Sequence, residues 1–114
     1  MSNIYLLSPY CDTQYKTPPA SLNYIRYYLK DNGLESTIYD CAYFDKEYDE
    51  IIEILKKGES APIVGITGYT RERFHAYRLV KRVRQELPDA TIVVGGRHFG
   101  YLAHETLSHL SEVD

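Results

Sequence analysis

The chain has 114 residues, with 13 Lys and Arg against 16 Asp and Glu and a net charge of -3. That is room for one domain, since domains typically run to about 100–150 residues, and a chain of this size buries about 65% of its unfolded surface. Apolar residues at 44% and charged ones at 25% exclude a disordered tail, a collagen-like segment and a disulfide scaffold. The mild acidity argues against a bulk nucleic-acid binder.

Strand and helix alternate along the chain. Ile4 to Leu7 is a short apolar run closed by Ser8-Pro9, and it reads as a buried strand. Pro18-Pro19 then precede a helical stretch with Leu22, Ile25 and Leu29 at i, i+3 and i+7, stopped by Asp31-Asn32-Gly33. Thr37-Ile38-Tyr39 is the second strand. Asp45 is the expected N-cap of a helix carrying Tyr48, Ile51, Ile52 and Leu55 on one face, and Gly58 ends it.

Ile63 to Thr67 is the third strand, bounded by Pro62 and Gly68. Thr70 is the expected cap of a third helix with Ala76, Val80, Val83 and Leu87 inward, which stops before Pro88. Thr91 to Val94 is the fourth strand, closed by Gly95-Gly96. A last helix follows, with Ala103, Leu107 and Leu110 on one stripe. Strands three and four are continuously apolar, the pattern of parallel strands covered by helices on both faces. The expected fold is therefore an α/β doubly wound, flavodoxin-like (Rossmann-like) parallel sheet. Such a sheet has five strands and this sequence supplies four, so residues 1–114 read as one domain with its fifth strand truncated, a fragment of a longer protein. The alternative is a native four-stranded domain.

Two cysteines, Cys11 and Cys41, are too few for a four-ligand zinc site or a common iron–sulfur motif. The first residues lack the basic n-region of a signal peptide, and no run approaches the roughly 20 apolar residues of a membrane span. The expectation is a reduced, cytoplasmic protein without membrane or nucleic-acid partners.

In an open parallel sheet, ligands bind beyond the carboxyl ends of the strands. Four loops meet there: 9–19, 40–44, 68–70 and 95–100. Five of the twelve tyrosines, Tyr10, Tyr15, Tyr43, Tyr69 and Tyr101, fall on or beside that edge. Tyrosine offers broad apolar contact with a polar tip, which suits a large mixed ligand, although each one taken singly reads as the cover of a helix end. Gly95 to Gly100 is not the Gly-x-Gly-x-x-Gly dinucleotide fingerprint, no Walker loop is present, and Thr67 stands where a receiver domain has Asp. Thr67, Gly68 and Thr70 offer hydroxyls and close-approaching backbone, and Gly95-Gly96 admits a ligand or simply makes the strand-to-helix turn.

Three segments carry a family resemblance. Thr17-Pro18-Pro19-Ala20-Ser21-Leu22-Asn23-Tyr24-Ile25 resembles the Pro-Pro stretch of B12-binding domains from cobalamin-dependent radical SAM proteins. Val64-Gly65-Ile66-Thr67-Gly68-Tyr69-Thr70 is similar to their Val-Gly-Ile-Ser/Thr segment. Leu87-Pro88-Asp89-Ala90-Thr91-Ile92-Val93-Val94-Gly95-Gly96-Arg97-His98 looks like their Leu-Pro-Asp-x-x-x-Val-x-Gly-Gly-x-His segment. The likeness spans essentially the whole chain, with departures at Ser21, Asn23 and Arg97.

The resemblance implies a cobalamin-binding domain that precedes a C-terminal radical SAM domain of the same parent chain. That missing remainder would carry a 4Fe–4S cluster and S-adenosylmethionine for methyl transfer or related radical chemistry. The Cys-x-x-x-Cys-x-x-Cys cluster motif is not in this sequence, and neither is the Asp-x-His-x-x-Gly motif whose His ligates cobalt in methionine-synthase-type domains. The implied cofactor-binding set is Pro9, Tyr10, Thr17, Pro18, Ser21, Thr67, Gly68, Tyr69, Thr70, Gly95, Gly96, Arg97 and His98, with no catalytic residue and no metal ligand. The nucleotide tail would run between the loops after strands one, three and four, with the corrin over the carboxyl edge. His75, His104 and His109 are expected on helices away from the rim, as surface or packing residues, and the Arg-rich third helix reads as a solvated face or a docking face for the missing domain. A flavodoxin-like regulatory or interaction module that binds no cobalamin is the alternative.

Overall fold

A computed structural model describes residues 3–12, 19–58 and 60–114. Its elements are β1 (Ile4–Ser8), α1 (Ala20–Asp31), β2 (Thr37–Asp40), α2 (Asp49–Lys56), β3 (Ile63–Thr67), α3 (Arg73–Glu86), β4 (Thr91–Gly95), α4 (Gly96–Tyr101) and α5 (Ala103–His109). The four strands form one parallel sheet in the order β2-β1-β3-β4. This is the expected flavodoxin-like arrangement, and it puts the crossover between β1 and β3, the topological switch point of such a sheet.

Period-two alternation divides the strand residues between the two faces. Tyr5, Leu7, Val64, Ile66 and Ile92 face α2 and α3, and with Ile51, Ile52, Leu55, Leu79, Val80 and Val83 they form the main core. The other face carries Leu6, Gly65 and Val93 in one lateral row and Thr67 beside Gly95 in the next. It is only partly covered. α1 packs along β2 and buries only Leu22 fully. Ile63 is 42% exposed and Val93 51% exposed. The apolar runs of β3 and β4 thus predict two helix-covered faces, and the structure has one closed face and one that is half open.

Helix boundaries follow local chemistry. α1 ends in a Schellman motif: Gly33, at φ +81, donates its N–H to the Lys30 carbonyl at 3.0 Å, and Leu34 N–H reaches the Leu29 carbonyl at 2.8 Å. Asp45 does serve the start of α2, but from four residues upstream. Its carboxylate accepts the N–H groups of Asp49 and Glu50, both at 2.9 Å, while Tyr48 takes a left-handed φ of 66 between them. Those backbone donors, against an opposing burial effect, hold the Asp45 carboxyl below its usual range.

Two expectations fail. Thr70 opens a 3-10 turn (Thr70–Glu72) ahead of α3 and makes no side-chain cap there, because its hydroxyl is engaged by His98. The last helix is broken into α4 and α5. Of the stripe Ala103, Leu107 and Leu110, only Leu110 is buried; Leu107 is 57% exposed, and Phe99 and Thr106 turn inward instead. The break at Leu102 resets the helical phase, so one stripe cannot run through both pieces.

The chain returns to β4 at its end. Asp114 N–H donates to the Ile92 carbonyl at 3.1 Å, and the Asp114 carboxylate accepts the Ile92 N–H at 2.8 Å. Arg84 ties this segment down through the Glu112, Pro88 and Ala90 carbonyls and the Asp114 carboxylate. Among the described residues, no helix is long and apolar enough to cross a membrane.

Candidate functional site

A cavity lies on the half-open face. It is a groove of about 520 Å³ between α1 and the sheet. Its floor is Ile4 and Leu6 of β1, Ile63, Gly65 and Thr67 of β3, and Val93 and Gly95 of β4. Its wall is Ser21, Leu22, Ile25 and Leu29 of α1, with Leu34 behind them. The floor runs from Ile63 to Thr67 along β3, four rises of about 3.3 Å or about 13 Å. Among the described residues, polar side chains line one end only: Ser21 and Thr67 flank the mouth at the carboxyl edge, with Gly95 and Gly96.

Glycines shape this trough. Gly65 leaves the floor without a side chain, and a Cβ there would sit 3.1 Å from Leu6 Cδ2. A Cβ on Gly95 would meet nothing within 4 Å, so the mouth is open above it. Gly96 has a different task. Its φ is +88, and a Cβ would collide with Thr67 Oγ1 and lie 3.0 Å from both the N and the O of Gly68. The β4 turn therefore packs backbone to backbone on the β3 turn, and only glycine permits that.

His98 locks the two turns together. Its backbone N–H donates to the Gly68 carbonyl at 3.1 Å. Its ring Nδ1 lies 3.1 Å from Thr70 Oγ1, and its Nε2 lies 2.5 Å from the Tyr77 hydroxyl. Both hydroxyls can donate or accept, so a neutral ring satisfies both nitrogens in either tautomer. The ring is buried and packs edge-on against Phe99. Burial, assisted by the Arg73 charge, lowers its pKa from the ordinary value.

A second cluster at the same edge lies on the closed face. The Tyr48 hydroxyl donates to the His75 carbonyl at 2.7 Å and accepts the Tyr10 N–H at 3.1 Å. His75 Nε2 lies 2.8 Å from the Asp12 carboxylate, which accepts only, so that nitrogen carries the proton. This contact holds the Asp12 carboxyl below its usual range. His75 Nδ1 is buried without a partner. His75 thus belongs to the rim, contrary to its reading as a residue away from it. α3 begins at the carboxyl edge, and His75 lies in its first turn.

The structure brings Ser21, Thr67, Gly95 and Gly96 together at the groove mouth, with Gly68, Thr70 and His98 directly behind them. Tyr69 is exposed beside them. Arg97 lies in the first turn of α4. Pro9 is buried, and Tyr10 packs toward the main core on the other side of the sheet. Thr17, Pro18 and Tyr15 lie outside the described residues. Cys11 and Cys41 are not in a disulfide. Cys41 is fully buried, and burial beside Asp40 and Asp45 pushes its thiol up to about 12, which makes it inert at neutral pH. No cluster of metal-ligating side chains occurs among the described residues.

Sequence reading overlooked the aliphatic lining itself. A signal was present: Leu6, Gly65 and Val93 share one face by alternation, and a glycine between large apolar neighbours marks missing volume.

The groove can take an apolar body whose polar head stays at the carboxyl edge. No curated protein and no solved structure matches the chain. A family model described as a B12 binding domain matches residues 12–114.

Proposed function

This chain belongs to the B12-binding domain family, and we propose that it holds cobalamin across the carboxyl edge of its sheet. Ser21, Thr67, Gly95 and Gly96 would hold the corrin at the mouth, and the groove below would take the nucleotide tail. The observation that carries this reading is the trough itself. Among the described residues it is aliphatic along its length, polar only at its mouth, and opened by two side-chain-free positions, Gly65 and Gly95.

The residues present fit the cofactor. The Ser21 and Thr67 hydroxyls and the Gly95-Gly96 backbone can meet the polar link between corrin and tail. His98, with both ring nitrogens engaged, acts by clamping the β4 turn on the β3 turn and so sets the width of the mouth. Tyr69 and Thr70 flank the corrin side. The described residues of the mouth would hold and orient the cofactor, and bound cobalamin would supply alkyl-transfer chemistry.

The likeness of the Leu87-to-His98 segment supports a further step, a parent protein in which this domain serves a radical SAM domain. There the 4Fe–4S cluster and S-adenosylmethionine reside and the methyl transfer or related radical reaction occurs, in the cytoplasm. A downstream Cys-x-x-x-Cys-x-x-Cys in the parent gene is expected, and its absence refutes that step.

Mixing the purified chain with hydroxocobalamin and dialysing exhaustively tests the binding. Corrin absorbance should remain with the protein at about one per chain. Gly95→Leu, which fills the mouth where a Cβ meets nothing, should abolish retention without lowering the melting temperature. Loss of all corrin absorbance from the unaltered chain refutes the reading.

A further inference from the structure

We propose that the aliphatic groove makes this domain selective for corrinoids whose lower base is an apolar benzimidazole over those whose lower base is a purine; the proposal rests on the cobalamin reading. A corrin ring carries amide side chains around its rim, which an aliphatic trough would strip of water without replacement. The flat, narrow lower base is the part of the cofactor whose surface such a trough accepts.

Inside the groove the base meets Leu6, Gly65 and Val93 below and Ile25 and Leu29 beside it. None of these side chains donates or accepts a hydrogen bond. The backbone below is committed as well, because β3 is paired on both edges, to β1 and to β4. Ser21 and Thr67 stand at the mouth, Thr67 two residues along β3 from Gly65. A dimethylbenzimidazole brings a single free ring nitrogen into this interior as its only hydrogen-bonding atom. An adenine brings an exocyclic amine and additional ring nitrogens that lose water and find no partner. Aliphatic pockets discriminate against such polar analogues by about 10- to 100-fold.

Equilibrium binding of three ligands to the purified chain tests the inference: hydroxocobalamin, its adenine-based counterpart, and cobinamide, which has no lower base. Cobalamin should bind at least about tenfold more tightly than either of the others. Ile25→Gln places an amide on the groove wall at a position 46% exposed. It should strengthen the adenine form and narrow the gap, with the melting temperature unchanged. Equal affinity for cobalamin and the adenine form overturns the selectivity and leaves the cobalamin reading standing. Cobinamide binding as tightly as cobalamin shows that the tail does not use the groove, and it overturns the selectivity too. A gap that Ile25→Gln and Val93→Asn both leave unchanged places the discrimination elsewhere and refutes the assignment to this lining. Failure of all three ligands to bind overturns both the inference and the function it rests on.

Discussion

Gly96 offers the sharpest perturbation of the carboxyl edge. Its φ of +88 costs an L residue about 1–2 kcal/mol. The added methyl would also strike Thr67 Oγ1 and press on the Gly68 N and O at 3.0 Å, backbone atoms that cannot swing aside. Overpacking of this kind costs about 1–3 kcal/mol. Gly96→Ala should therefore destabilise the fold by about 2–5 kcal/mol, which at about 4 °C per kcal/mol lowers the melting temperature by about 8–20 °C. Thermal melts followed by circular dichroism read this directly. Gly100 supplies the control. A Cβ there meets nothing within 4 Å, it sits within α4, and Gly100→Ala should be neutral or stabilising by up to about 1 kcal/mol. Adding Thr67→Ala to Gly96→Ala removes one of the colliding atoms, so the double variant should recover part of the loss, a coupling that independent sites would not show. If Gly96→Ala stays within about 1 kcal/mol of the parent, the two turns are not packed as described and the geometry of the mouth fails with them.

Three further outcomes are expected. Tyr48→Phe leaves the Tyr10 N–H and the His75 carbonyl without their buried partner and should cost about 2 kcal/mol in urea titrations; a loss below about 0.5 kcal/mol contradicts the bridging role. His98 has a folded pKa below its ordinary 6.5, so below that pH the unfolded chain takes up a proton that the folded ring resists. Its contribution to stability is full at neutral pH and declines as pH falls from about 6.5, and His98→Gln should flatten that part of the pH dependence; an unaltered slope refutes it. Cys41, buried and raised to about 12, should resist iodoacetamide at pH 8 until denaturant is added, and ready labelling of the native protein at Cys41 would contradict its burial.

The order of elements was legible along the chain because each obeys local rules. The 63–67 and 91–94 runs are β-branched and bounded by Pro and Gly, and the 48–55 set repeats at helical spacing. Gly96 was legible as a turn glycine, and the positive φ accounts for it. His98 was visible as a residue at the functional edge, but its partners were not. Tyr77 lies 21 positions earlier and Thr70 28 positions earlier, and no spacing rule links a β4 turn to the middle of α3. The Asp12–His75 pair spans 63 positions and was equally invisible.

By itself the sequence determined the fold class and the parallel sheet, since periodicity and turn chemistry act over a few residues and need no partner. Tertiary structure alone decided which face of that sheet stays open. α1 lies along β2, Gly65 and Gly95 lack side chains in adjoining rows, and the β4 turn closes on the β3 turn through Gly96. A groove is the volume that packed elements fail to fill, and it exists only once those elements have been placed against one another.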